Sequence, residues 1–255
     1  MAQAVFPYRD LVWELVKREL RVRYRRSFIG FAWTMLQPLL MMLVLQVAFS
    51  SIFRFDLVNY PVFVLSGLLF WNFFSQSIVV SMNSLRANAR LIQKLPVPKS
   101  VFPLSVVISG LINLLFALVP LLVMIVVTGH PLKPALLFLP ISNLIAGLFT
   151  LGAGLLLAPL SAFFYDIVEL VGVGLQLLMF LTPIMYPMTI VPEEMRWIVR
   201  YNPVRSILEL FRDPIYYSKV PPLSHLSVAL GLALLFLVVG IVAFRRTSRK
   251  INLYL

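Results

Sequence analysis

Seven of the 22 Lys and Arg residues crowd between Arg9 and Arg26, and from Ile29 to Phe53 directly behind them there is no charged residue at all. A helix rises about 1.5 Å per residue, so roughly 20 apolar residues cross the hydrocarbon core of a bilayer. A basic block abutting such a run marks the cytoplasmic side and orients the rest of the chain. Composition agrees: 60% of residues are hydrophobic and 13% charged, against roughly 25% charged in a soluble domain. This sequence requires a membrane.

Six apolar runs are long enough to span, at about 29–53, 61–83, 101–128, 136–163, 167–188 and 223–244. With the N-terminus inside, the inner segments hold fifteen Lys and Arg and the outer loops seven. Five of those seven lie in 189–222, beside Glu193, Glu194, Glu209 and Asp213. The expected fold is all-α and polytopic, with six transmembrane helices and both termini cytoplasmic. An amphipathic helix occupies 1–28, a six-helix membrane domain 29–255, and an outer-face helical hairpin about 189–215. The first run is too long, and lacks the cleavage pattern, for a secretory signal.

On a helical wheel the opening segment gathers Leu11, Val12, Leu15, Val16 and Leu20 on one arc, with Asp10, Glu14, Lys17, Arg18, Arg21 and Arg25 on the other. That pattern predicts a helix lying in the interface, its basic side toward anionic lipid headgroups. In the outer loop, Pro192-Glu193-Glu194 predicts a first helical turn. Asn202-Pro203 predicts an N-cap and N1 position opening a second short helix that stops before Pro214.

The net charge of +12 does not indicate nucleic acid, because the cations are gathered between apolar runs instead of along one face. There is no cysteine, hence no disulfide and no thiolate. No Lys follows a Gly, so a phosphate-cradling loop is absent. His130 and His225 are far apart in sequence, so neither a metal site nor nucleophilic catalysis is expected. Glu169 is the one acid within a span, near its inner end.

Tyr165, Glu169, Gly172, Gln176, Phe180 and Pro183 recur at helical spacing, which puts a polar, small and aromatic stripe on one side of span five. Helix packing through Gly172 and Gln176 accounts for the stripe, and so does the wall of a sugar path. On span one, Gln37 lies a turn from Trp33, while Gln46 faces the opposite way. Gly154, Ala158 and Ala162 read as a packing seam, and Phe70, Trp71, Phe73 and Phe74 as packing aromatics. Arg86, Arg90, Lys94 and Lys99 are inside-positive charges, and Arg245, Arg246, Arg249 and Lys250 a headgroup anchor.

Segment 15–38, LVKRELRVRYRRSFIGFAWTMLQP, resembles the opening of permease subunits of type-2 ABC exporters for lipid-linked polysaccharides, which include O-antigen, capsule and teichoic acid permeases. LIQKLPVP at 91–98, FLTPIMYP at 180–187 and Tyr201-Asn202-Pro203 agree with it. The resemblance implies export of a lipid-linked polysaccharide, O-antigen first, across the bacterial inner membrane. It implies a homodimer with the path between two copies, and Trp33, Gln37 and the span-five stripe are the candidates to line it. Two ABC ATPase subunits would bind ATP and Mg, leaving this chain without cofactor or enzymatic activity of its own. Glu14, Arg18, Arg21, Arg86, Arg90, Lys94 and Asp166 would meet those subunits; Tyr186, Trp197, Tyr201 and Asn202 would shape an outer gate. One departure stands out: the family's aromatic-Arg-Asp step reads Phe164-Tyr165-Asp166 here. Two other classes remain open, a small-molecule efflux permease of the same superfamily and a membrane-bound transferase. The transferase needs clustered acids, and the close pairs are Glu193/Glu194 and Asp166/Glu169.

Overall fold

The computed structural model describes residues 8–24, 30–48, 57–94 and 96–248, and every regular element among them is helical. The chain forms α1 (Arg9–Tyr24), a 3-10 turn at Gly30–Ala32, α2 (Trp33–Ala48), α3 (Tyr60–Ala87), α4 (Ala89–Lys94) and α5 (Val101–Val127). After a 3-10 stretch at Pro134–Phe138 come α6 (Leu139–Phe163), α7 (Ile167–Leu181), α8 (Arg196–Arg200), α9 (Pro203–Ile215) and α10 (Leu223–Ser248). Arg25, Arg26, Arg249, Lys250 and the end of the first apolar run lie outside the described residues.

Among the described residues, four helices are long and apolar enough to cross a bilayer: Tyr60–Ala87, Val101–Val127, Pro134–Phe163 and Leu223–Ser248. The other two apolar runs yield shorter helices, 16 residues in α2 and 15 in α7, about 24 and 22 Å long. The run at 167–188 therefore does not form one continuous helix. Pro183 disfavours helical geometry in the residue before it, and Thr182 is accordingly extended, with φ −103° and ψ 131°. The backbone beyond it is buried, so protein groups must satisfy its carbonyls. Arg212 of α9 does this, donating to the carbonyls of Pro183 at 2.7 Å and Ile184 at 2.9 Å.

The second outer helix also departs from expectation: α9 continues through Pro214 to Ile215. Proline has no N–H to offer the carbonyl four residues earlier, and the carbonyl of Leu210 takes a 2.8 Å hydrogen bond from the Ser142 hydroxyl of α6 instead. The replacement donor lets the helix run on. The first outer piece is a 3-10 turn at Glu193–Met195 followed by the five residues of α8.

α3 sits at the centre, packed by α2, α5, α6, α7 and α9, whereas α10 touches mainly α6 and leaves most of its surface outward. Gly152 and Gly240 set the α6–α10 crossing, since a Cβ on either would collide with backbone of the other helix. The Gly154, Ala158, Ala162 seam is buried, with Gly154 facing Ser81 of α3. Phe70, Phe74 and Phe149 stack in the core with centroids 5.6–6.1 Å apart.

Polar ties sort the connections into two ends. At one end, Arg18 of α1 donates to the Asn88 side-chain oxygen at 2.7 Å, Tyr8 donates to the Pro96 carbonyl, and Lys99 donates to the carbonyl of Ser248. At the other, Tyr216 donates to the Val58 carbonyl at 2.8 Å, Asn59 meets His130 at 3.1 Å, and Ser218 donates to the Pro131 carbonyl. The segments that charge counting puts inside share the first end, and those it puts outside share the second.

Candidate functional site

Two hollows flank the central helix. The larger, about 490 Å³, lies between α2, α3 and α5 and is lined in part by Trp33, Gln37, Asn72, Gln76 and Asn113. The smaller, about 390 Å³, lies between α3 and α7, where Trp71, Ser75 and Gln76 face Gly172, Gln176 and Met179. Gln76 lines both. It belongs to a face of α3 on which Asn72, Gln76, Asn83 and Arg86 recur at spacings that keep them on one side of a helix. Most of the rest of α3 is buried, so this is the polar side the helix presents outward. Sequence reading passed over Asn72 and Gln76, although their four-residue spacing within an apolar run was a visible signal.

The residues expected to line a path are divided by the structure. Trp33 and Gln37 open on the larger hollow, Gly172 and Gln176 on the smaller. Glu169, in the first turn of α7, and Phe180 are both exposed. Tyr165 and Pro183 do not share that helical face. Tyr165 precedes α7 and stands at the basic end with the Arg86 guanidinium 4.2 Å from its ring centroid. Pro183 lies past the end of α7 and is buried, its carbonyl held by Arg212.

At the basic end α1 packs against the rest of the chain. Val12, Leu15 and Val16 of α1 are buried in one cluster with Ile92, Val101 and Phe102, so α1 is docked on the start of α5. Its outer side keeps Glu14 and Arg21 exposed. A hydrogen bond from Lys17 holds the Glu14 carboxyl below its ordinary range. Arg18 is partly engaged, by Asn88 and by Glu19 at 3.3 Å. Arg90, Lys94 and Asp166 are exposed at the same end. Together they leave a broad charged surface.

At the opposite end Trp197 and Tyr201 are exposed, and Tyr186 donates to the Phe180 carbonyl at 2.7 Å. Asn202 is not part of that exposed set. It is buried; its side-chain oxygen accepts from the Val204 amide as the N-cap of α9, while its amide donates to the Thr182 hydroxyl at 2.9 Å. Both halves of the side chain thus brace the end of α7 against the start of α9. The expected N-cap is present.

Residues 10–216 match the model of a family described as ABC-2 type transporter. The O-antigen export system permease protein RfbA of Klebsiella pneumoniae is 30% identical over 244 residues, covering 94% of this chain and 93% of that protein. The protein of the same name from Myxococcus xanthus is 34% identical over 252 residues, 96% of each. The polysialic acid transport protein KpsM of Escherichia coli is 25% identical over 256 residues, again 96% of each.

Proposed function

We propose that this chain, which belongs to the ABC-2 type transporter family, is the membrane permease subunit of an exporter for a lipid-linked polysaccharide of the O-antigen class. The observation that carries this reading is similarity over nearly the whole length to proteins named for O-antigen export and polysialic acid transport. Those names favour a glycan cargo over small-molecule efflux.

The chain's own chemistry supports the remaining roles. Without a Lys after a Gly there is no phosphate-cradling loop, so ATP hydrolysis falls to separate ATPase subunits. The exposed Glu14, Arg21, Arg90, Lys94 and Asp166, together with Arg18 and Arg86, offer them a docking surface at the basic end. Glu169 and Gln176 are exposed on α7, and ionisable or amide groups at membrane depth require a protein or water-filled surrounding. A second copy of the chain facing α2 and α7 supplies that surrounding and encloses a path. In this arrangement the chain crosses the inner membrane six times, with α2 and α7 as its shorter crossings and both termini cytoplasmic.

Deleting the gene in its host tests the function. The expected result is loss of surface polysaccharide with accumulation of lipid-linked glycan inside the cell. Normal surface polysaccharide together with lost resistance to small toxic compounds would overturn it.

A further inference from the structure

We infer that the Asn72–Gln76 face of α3 is the central wall of the translocation path and binds an uncharged sugar ring as it passes. The inference rests on the polysaccharide reading and adds a site and a substrate chemistry to it.

Three observations converge. Gln76 lines the hollow beside α2 and the hollow beside α7, joining the two otherwise separate sets of candidate residues into one surface. The polar lining is built of neutral groups, with Gln37, Asn72, Gln76 and Asn113 in the larger hollow and Gln176 in the smaller. Among the described residues, neither lining includes Asp, Glu, Lys or Arg. Trp33 and Phe73 add aromatic surface in the larger hollow, whose volume of about 490 Å³ lies within the roughly 300–1,000 Å³ range of small-molecule sites.

Chemistry selects among occupants. A primary amide both donates and accepts, as a sugar hydroxyl does, and an aromatic face suits the apolar side of a pyranose ring. A phosphate or carboxylate sugar calls for a cation, which these linings lack. A hydrocarbon tail calls for no amides, because it has neither a donor nor an acceptor to offer them. A neutral hexose unit fits the lining best.

The test uses the complete exporter in its host, with Gln76→Leu, Gln76→Glu and, on the outward face of α10, Val238→Leu as variants, each first shown to accumulate normally in the membrane. Export of surface glycan is measured against deletion of the gene. If the wall is correct, Gln76→Leu lowers export about tenfold, the scale of one or two lost neutral hydrogen bonds. Gln76→Glu, which still accepts from hydroxyls, falls between Leu and wild type, and Val238→Leu exports normally. If Gln76 instead packs against a second copy, Leu is tolerated and Glu fails, which overturns the inference. Wild-type export by Gln76→Leu overturns it as well. In either case export that still depends on the gene leaves the polysaccharide reading standing, whereas export that survives deletion removes both.

Discussion

Gly67 of α3 lies directly beneath the Arg212 guanidinium, so closely that a Cβ there would collide with Nη2 and stand 3.0 Å from the Ile184 carbonyl oxygen. The same guanidinium lies over the Phe63 ring, 3.9 Å from its centroid. Arg212 is buried, and a planar fork of donors serves two adjacent carbonyls as a point-like ammonium does not. Gly67→Ala should displace this fork and destabilise the protein by about 1–3 kcal/mol, the usual range for overpacking. Arg212→Lys should not restore wild-type stability, and Arg212→Met should cost more than Gly67→Ala, because it leaves buried carbonyls without donors. Thermal unfolding of the purified protein in detergent measures all three.

Asn202 joins the same region from the other side. Loss of an N-cap typically costs about 1 kcal/mol, and here the Thr182 hydroxyl also loses its donor. Asn202→Ala should therefore lower stability by more than a cap alone, about 1–3 kcal/mol. Asn202→Asp should retain the cap but not the bond to Thr182, and fall between Ala and wild type. Unfolding midpoints for the three proteins give the order directly.

Tyr165, in the connection between α6 and α7, receives the Arg86 guanidinium on its face. An exposed cation–π contact is worth about 0.5–1 kcal/mol, so Tyr165→Ala should lower glycan export about twofold to fivefold. Tyr165→Phe keeps the ring and should export normally. Tyr165→Arg sets a second cation against Arg86 and should be worse than Ala. Export rates measured with the partner ATPase present distinguish these outcomes.

The fold was legible in the sequence wherever the deciding interactions are local. The long helices α3, α5, α6 and α10 come from uninterrupted apolar runs, and Asn202-Pro203 announced a helix start through neighbours in the chain. The end of α7 was harder to place. Helical spacing puts Pro183 in the stripe of span five, whereas the helix ends before it and the buried backbone beyond is tolerated because Arg212, 28 and 29 residues along the chain, supplies its donors. Likewise Pro214 looked like a helix end, and the Ser142 hydroxyl that lets α9 continue lies 68 residues from Leu210. Gln76 was visible as a polar residue in an apolar run, yet only the placement of α2 and α7 on either side of it distinguishes a wall from a packing contact. Pro183 and Tyr165 entered the candidate stripe through helical spacing extrapolated past the ends of the helix.

Orientation is testable in the native background, because the chain has no cysteine and single-cysteine variants need no prior removal of thiols. Arg90→Cys and Arg246→Cys replace exposed residues at the basic end, whereas Lys133→Cys and Arg200→Cys replace exposed residues in the connections at the other. If both termini are cytoplasmic, a membrane-impermeant maleimide added to intact spheroplasts should label the second pair and spare the first until the membrane is permeabilised. The fifteen-to-seven division of Lys and Arg between inner and outer segments is what demands this result. Labelling of Arg90→Cys but not Arg246→Cys in intact spheroplasts would mean an odd number of crossings between them, and α7, at about 22 Å, would be the first crossing to give up.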